Sequence, residues 1–435
     1  MKEITKGDSH AGAKRALLVG VRDAKISKRE ADTLTRELAG LVDTLGLEAA
    51  AVEMVNLRSG EGRGNGKYDI GTGKAAELAE KAAALEADCI VFDRDISPSQ
   101  QRNWEELIGI PAIDRQELII QIFASRARTK EAELQVSLAE LKYALPRLHH
   151  KYIDLSRQRG GRYGTKGSGE TRFETDRRLL EQRIHRLEQE LEEVKLQRQV
   201  QRKQRERQGV PVCAIVGYTN SGKSSILNAL TGAGVFAEDK LFATLDPTSR
   251  RLALPQGKQV LLVDTVGFIR RLPHNLINAF RSTLEEAVRA DILLNVLDAC
   301  EEDIAAQYET TLAALGELGA GEVPMITALN KVDRLQSAEE KEALHSLLKA
   351  YPGSVAVSAA DGSGLAELCA RIEQALSGTA LRFRFPPERT DLAALLHRCG
   401  LVLSESYTDG SIEMEARVDE RTAGRLREYV MEKSF

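Results

Sequence analysis

Val212-Cys213-Ala214-Ile215-Val216-Gly217-Tyr218-Thr219-Asn220-Ser221-Gly222-Lys223-Ser224-Ser225 is the stretch from which the rest of the 435-residue chain is most readily read. The apolar run Val212 to Val216 leads into Gly217-x-x-x-x-Gly222-Lys223-Ser224, and a helical pattern starts near Ser225. Strand, glycine loop and helix in that order make a phosphate cradle. Glycines let the backbone curl until successive N–H groups face phosphate oxygens, Lys223 neutralises the β and γ phosphates, and Ser224 offers its hydroxyl to Mg2+. Other Gly-Lys pairs fail the test, because Tyr68 and Leu252 stand where Gly73-Lys74 and Gly257-Lys258 would need a glycine. One such loop is expected, inside an α/β domain.

Three downstream elements decide which nucleotide fits. Asp264-Thr265-Val266-Gly267 follows the apolar strand Val260 to Val263, so a carboxylate sits at the strand end where open α/β sheets bind ligands. Asp264 is expected to hold Mg2+ through water, and the Gly267 N–H to meet the γ phosphate. Asn330-Lys331-Val332-Asp333 closes the strand Met325 to Leu329. The Asp333 carboxylate can accept two N–H bonds from the guanine ring and its amino group, a pattern adenine lacks. Asn330 would tie the loop to the cradle, and the Lys331 stem would cover the base. Ser358-Ala359 fits the element whose backbone N–H reaches guanine O6. Thr244, in Phe242-Ala243-Thr244-Leu245-Asp246, is where a switch threonine would meet Mg2+ only while the γ phosphate is present. The sequence therefore predicts a GTP and GDP site with Lys223, Thr244 and Gly267 in catalytic roles. Phe268 stands where Ras-like proteins carry a water-orienting glutamine, which predicts slow hydrolysis alone and acceleration by a partner.

Around this domain, expected over 210–378, the chain changes character twice. Residues 1–114 alternate strand and helix patterns: a run Ala16 to Val21, a helix Ser27 to Leu45, a strand Leu47 to Val55, a helix Lys74 to Ala87, a run Cys89 to Phe92, a helix after Ser97-Pro98 and a strand Ile110 to Ile113. Such alternation predicts an open parallel sheet. Residues 115–209 take up helical heptads, with Leu134, Leu138, Leu141, Leu145 and Leu148 answered by Leu180, Ile184, Leu187, Leu191 and Val194. Two seams either side of one loop are most simply buried by an antiparallel hairpin, an intermolecular coiled coil being the competing arrangement. The tip, within 157–170, carries Arg157, Arg159, Arg162, Tyr163 and Lys166 among five glycines and cannot build a core. Residues 381–435 read strand, helix, strand, a tight turn at Asp409-Gly410, strand and helix, a small α+β domain. The fold class is thus α/β multidomain.

Composition agrees with a cytoplasmic protein. The formal net charge is −4, yet 147–207 holds 17 Lys and Arg against 10 Asp and Glu, so one segment is set apart electrostatically. The five cysteines lack metal-ligand spacing and an odd count suggests no disulfide framework. No apolar run approaches the roughly 18 residues that would cross a bilayer.

Beyond these elements the sequence resembles the HflX family of translational GTPases, within the Obg–HflX group. The resemblance rests on Phe242-Ala243-Thr244-Leu245-Asp246-Pro247-Thr248, Asp264 to Phe268, Ile122-Phe123-Ala124-Ser125-Arg126-Ala127-Arg128-Thr129, Leu134-Gln135-Val136, Gly167-Ser168-Gly169-Glu170-Thr171 and Glu174-Thr175-Asp176-Arg177-Arg178. It implies binding of the 50S large ribosomal subunit, GTP-dependent splitting of stalled or vacant 70S ribosomes under stress, ribosome-stimulated hydrolysis, and a hairpin tip that reaches rRNA near the peptidyl-transferase region. Arg159 and Arg162-Tyr163 depart from the family's tip. Cations on a glycine loop can follow an RNA backbone, and Tyr163 could stack on a base. The position of Asn220 resembles the P-loop asparagine of potassium-assisted GTPases, which would add K+ to Mg2+; a purely structural asparagine is the alternative. The loop Tyr68 to Lys74 resembles the family's glycine-lysine element, for which an ordinary helix start is preferred to a second, ATP-related site. A monomer is expected. Two competing functions are a GTPase placeholder in large-subunit assembly, or an anti-association factor without splitting activity, and a scaffold that uses GTP for stability.

Overall fold

The computed structural model describes residues 14–24, 26–57, 66–158, 168–206, 210–232, 234, 238, 240–271, 281–408, 410–418 and 420–433. The hairpin tip 159–167 lies outside them, as do the side chains around it, Arg157 included. The chain forms two compact units: 1–198 with 238–246 and 269–283, and 199–237 with 247–268 and 284–435.

In the first unit, β1 (Arg15–Arg22), α1 (Lys28–Thr44), β2 (Glu48–Asn56), α2 (Thr72–Ala84), β3 (Cys89–Phe92), α3 (Pro98–Ile108) and β4 (Ala112–Ile113) give a parallel sheet of order β2-β1-β3-β4. The open parallel sheet read from the alternation is present. The last strand is shorter than the Ile110 to Ile113 run, since Pro111 has no N–H for the ladder. Ser27 caps α1 by accepting from Glu30 N, and Ser97 with Gln100 makes a capping box on α3. Trp104 fills the core against Tyr68 and Phe92 and donates its indole N–H to Tyr68 O at 3.0 Å. Burying such a ring contributes on the order of 3 kcal/mol.

Next come α4 (Arg115–Arg126) and two long helices, α5 (Lys130–Gln158) and α6 (Ser168–Glu206). Leu134, Leu138 and Leu191 close one buried cluster with Ile184, Leu187 and Val194 against it, so the chain's own second helix fills the seam. Salt bridges Lys142–Glu188 (2.8 Å) and Arg198–Glu131 (2.7 Å) flank it.

The second unit holds β5 (Val212–Gly217), α7 (Lys223–Thr231), β6 (Thr248–Ala253), β7 (Gln259–Asp264), β8 (Ile292–Asp298), β9 (Met325–Asn330) and β10 (Val355–Ala356) in one sheet of order β10-β9-β8-β5-β7-β6. Only β6 runs antiparallel. β5 and β8 are buried almost throughout; both read as apolar runs, that of β8 interrupted by the buried Asn295. The same unit ends in β11 (Thr379–Phe385), a helix Thr390–Cys399, β12 (Leu401–Thr408), β13 (Ser411–Val418), a helix Glu420–Arg425 and β14 (Val430–Lys433), an antiparallel sheet of order β12-β13-β11-β14. The sequence pattern missed β14, which is only four residues long. Strictly alternating burial along β13 puts Ile412, Met414, Ala416 and Val418 into the core with Phe383 and Phe385.

Candidate nucleotide-binding site

The phosphate loop is built where β5 ends. Gly222 has φ +92°, and a Cβ there would lie 2.2 Å from Asn330 Nδ2, so only glycine permits the turn and the approach of the next loop. Asn330 Nδ2 donates to Ser221 O at 2.9 Å, and Lys331 Nζ donates to Asn220 O at 2.8 Å. The predicted tie between the Asn-Lys loop and the cradle is therefore present as geometry. Asn220 and Lys331 both adopt positive φ, 61° and 66°, at the place where these two bonds join the loops.

Lys223 is buried, and its ammonium donates to Tyr218 O at 2.6 Å. Burial lowers its pKa to about 8, against the opposing pull of Asp264 and with help from Lys331. An arriving anion favours the charged form of a lysine so placed. Thr219 Oγ1 and Ser221 Oγ are buried with no hydrogen-bond partner among the described residues, an arrangement that costs about 1 to 3 kcal/mol per group until a ligand supplies one.

Ser224 Oγ donates to Asp264 Oδ2 at 2.5 Å. Two hard oxygen donors beside a phosphate cradle are the protein's usual share of an Mg2+ shell that phosphate and water complete, so these residues fit that ion. Among the described residues no cluster of three or more His, Cys, Asp or Glu could hold a metal by itself.

Gly267 lies under the lysine: a Cβ would be 2.8 Å from Lys223 Nζ and 2.8 Å from Thr219 Cα. Phe268 follows with its ring buried, while its N–H donates to Gly217 O (3.0 Å) and its carbonyl accepts from Thr219 N–H (2.7 Å). The Thr219 N–H, expected to face phosphate, is thus engaged by the loop. Thr265 Oγ1 donates to Ile215 O at 2.7 Å and fixes the same loop from below.

At the base-reading end, Ser358 Oγ donates to Asp333 Oδ1 at 2.6 Å and accepts from Ala360 N and Asp361 N, both at 3.2 Å. Asp333 is thereby oriented with its second oxygen available to a base edge. Ala359 N–H, the expected O6 donor, faces Asn330 Oδ1 at a long 3.2 Å. Sequence reasoning missed Asp298, whose Oδ2 lies 2.6 Å from Lys331 Nζ and holds that side chain over the pocket. A carboxylate ending the apolar run Ile292 to Leu297 was the available signal.

The structure therefore brings together Gly217 to Ser225, Asp264 to Gly267, Asn330 to Asp333 and Ser358-Ala359 within the second unit. Phe242 to Asp246, with Thr244, belong to segment 238–246 of the first unit.

Comparison with known proteins finds three family matches along the chain. Residues 32–124 match the family described as GTP-binding GTPase N-terminal, 126–205 the GTP-binding GTPase Middle Region, and 212–331 the 50S ribosome-binding GTPase. The chain is 44% identical to GTPase HflX of Akkermansia muciniphila over 430 residues, covering 96% of this chain and 97% of that one. It is 41% identical to GTPase HflX of Caldanaerobacter subterraneus (96% and 94% covered) and 40% identical to that of Escherichia coli (88% and 89%).

Proposed function

The chain belongs to the GTPase HflX family, and from that premise we propose that it is a GTP-driven switch that binds the large ribosomal subunit and splits stalled or vacant 70S ribosomes. It hydrolyses GTP to GDP and phosphate; the proposal concerns where the energy goes and what accelerates the step. Its domains are 1–114, the hairpin 115–209, the GTPase domain 210–378 and 381–435. The action is cytoplasmic; among the described residues no helix is long and apolar enough to cross a membrane.

The carrying observation is the pairing of Asp333 with Ser358 Oγ, which presents one carboxylate oxygen in a loop locked to the cradle by Asn330 and Lys331. A carboxylate held this way accepts from the guanine N1–H and amino group and rejects adenine, which would leave it facing an acceptor. Gly217 to Ser224 cradle the phosphates, and Lys223 neutralises the bridging charge. Ser224, Asp264 through water, and Thr244 in the GTP state would hold Mg2+, which would supply further charge neutralisation; K+ at Asn220 would add to it. Gly267 N–H senses the γ phosphate. With the Phe268 ring buried, this chain has no side chain at that position to orient water, so stimulation comes from the ribosome. Arg157, Arg159, Arg162, Tyr163 and Lys166 are the RNA contacts of the tip.

Sedimentation of 70S ribosomes with the protein and GTP, or a non-hydrolysable analogue, tests this. Loss of the 70S peak is expected. An intact 70S peak with selective retention on immature large subunits would replace splitting with an assembly role. Asp333→Asn should exchange preference from GTP to xanthosine triphosphate by on the order of 10²-fold, because an amide pairs with a carbonyl where a carboxylate pairs with an amino group. Unchanged preference would remove the base-reading assignment.

A further inference from the structure

Two stretches quoted from the sequence, 122–129 and 242–248, lie more than a hundred positions apart, yet the first grips the second. The end of α4 and the turn into α5 hold segment 238–246 at three places. Arg126 Nη2 lies 2.8 Å from Glu238 Oε2. The Phe123 ring meets Phe242 edge-on, centroids 4.7 Å apart at 80°. Asp246 Oδ2 accepts from Arg128 N at 3.2 Å, and Asp246 Oδ1 accepts from Thr129 Oγ1. Thr129 in turn caps α5: its Oγ1 accepts from Ala132 N at 3.2 Å and its carbonyl from Glu133 N at 2.9 Å. Phe242 is buried at φ 54°, a left-handed conformation that costs a non-glycine residue about 1 kcal/mol. It persists only because its surroundings impose it.

We propose that the α4–α5 turn is the joint through which the nucleotide state of segment 238–246 reaches the helical hairpin, with Thr129 and Phe123 as its positioning residues. The inference rests on the reading of Thr244 as the switch threonine. Thr244 lies midway between Phe242 and Asp246, so whatever fixes Thr244 fixes both contacts within two residues. With the γ phosphate present, the segment is ordered and Asp246 completes the α5 cap. After hydrolysis the freed segment must be ordered again before the cap can form, at the entropy cost of several residues, and the first turn of α5 loosens.

Farther along, α5 is clamped to the sheet edge: Arg147 Nη2 donates to Asp114 Oδ2 at 2.9 Å, and Tyr143 OH to Glu117 Oε2 at 3.1 Å. A change at the cap therefore acts on a helix gripped rigidly about four to five turns on. Coupling of this kind is reciprocal, so RNA that immobilises the hairpin favours GTP over GDP by the same factor by which GTP steadies α5.

Hydrogen exchange of the full chain tests the joint, with Mg2+ and either GDP or a non-hydrolysable GTP analogue. Amides 130–136 should exchange about tenfold more slowly with the analogue, the worth of hydrogen bonds to one ionised carboxylate. Thr129→Val and Phe123→Leu should each shrink that ratio to about twofold or less and weaken the preference for the analogue over GDP in the same sense, and Thr129→Ser should restore both. A Thr129→Val chain that keeps the full ratio, or a wild-type chain that binds both nucleotides with identical exchange, overturns the joint and leaves the GTP site standing. A wild-type chain that does not prefer GTP to ATP overturns the site reading, and this inference with it.

Discussion

The carboxyl edges of the two parallel sheets make an instructive pair. At the edge of β5, β7 and β9, polar groups are left open: Thr219 Oγ1 and Ser221 Oγ have no partner among the described residues, and Lys223 is buried with its pKa down at about 8. At the edge of β3 and β4, buried carboxylates are consumed by the chain itself. Asp114 takes Arg147 Nη2 and Ile96 N, Glu117 takes Tyr143 OH and Gln101 Nε2, and Arg147 also reaches Gln101 Oε1 at 2.8 Å. Burial raises the pKa of Asp93, Asp95, Asp114 and Glu117 alike, with neighbouring arginines opposing it. The topology offers a ligand crevice in both places; the side chains decide that one receives phosphate and the other a helix.

The sharpest way to break this contrast is Gly267→Ala. Its Cβ would displace Lys223 Nζ from the cradle, so hydrolysis should fall by on the order of 10³-fold in a chain whose circular dichroism is unchanged. Retained turnover would mean that the lysine is not poised by that contact.

Next in size is Arg147→Met, which strips the buried Asp114 carboxyl of its cation. The first unit should lose about 3 kcal/mol in urea denaturation while GTP affinity stays within twofold, as breaking a buried pair by one partner predicts. A loss below about 1 kcal/mol would make the network ornamental.

A third prediction uses pH on the open edge. Lys223 must be charged to hold phosphate, so its lowered pKa makes binding take up a proton. Affinity for GTP should fall about tenfold between pH 7 and pH 9, measured by calorimetry in buffers of different ionisation enthalpy. A flat profile would place the lysine's charge beyond question in the free chain.

The smallest effect belongs to the closed edge, with a different window. Asp114 has its pKa raised from 3.8 to about 6, so the folded state holds the proton more tightly. That contribution is complete below about pH 4 and is lost as pH rises through 6, and the other raised carboxylates act in the same sense. From Asp114, the first unit should be about 1 kcal/mol more stable at pH 5 than at pH 7.5, read as a urea midpoint.

The two edges also differ in how far they could be read beforehand. The phosphate loop, Asp264 to Gly267 and Asn330 to Asp333 are contiguous signals, each placed at a strand end by the apolar run before it. The closed edge joins Gln101, Asp114, Glu117, Tyr143 and Arg147, residues up to 46 positions apart in one contact, and no local periodicity encodes that. Heptads announced the hairpin, because a seam must be filled along its length. They were silent on Tyr143 and Arg147, which bind the sheet edge from the same helix. Asp298 escaped for a related reason: its role depends on Lys331, just past the end of the neighbouring strand β9.

Phe268 has a mechanical consequence. Its N–H and carbonyl fasten it to both sides of the phosphate loop, so the backbone there has no slack. Rearrangement of the Asp264 to Phe268 loop after loss of the γ phosphate would therefore begin at Ile269, one peptide later, while the loop itself travels with the cradle. An aromatic residue unsuited to orienting water would serve instead as the fixed end from which the following chain departs.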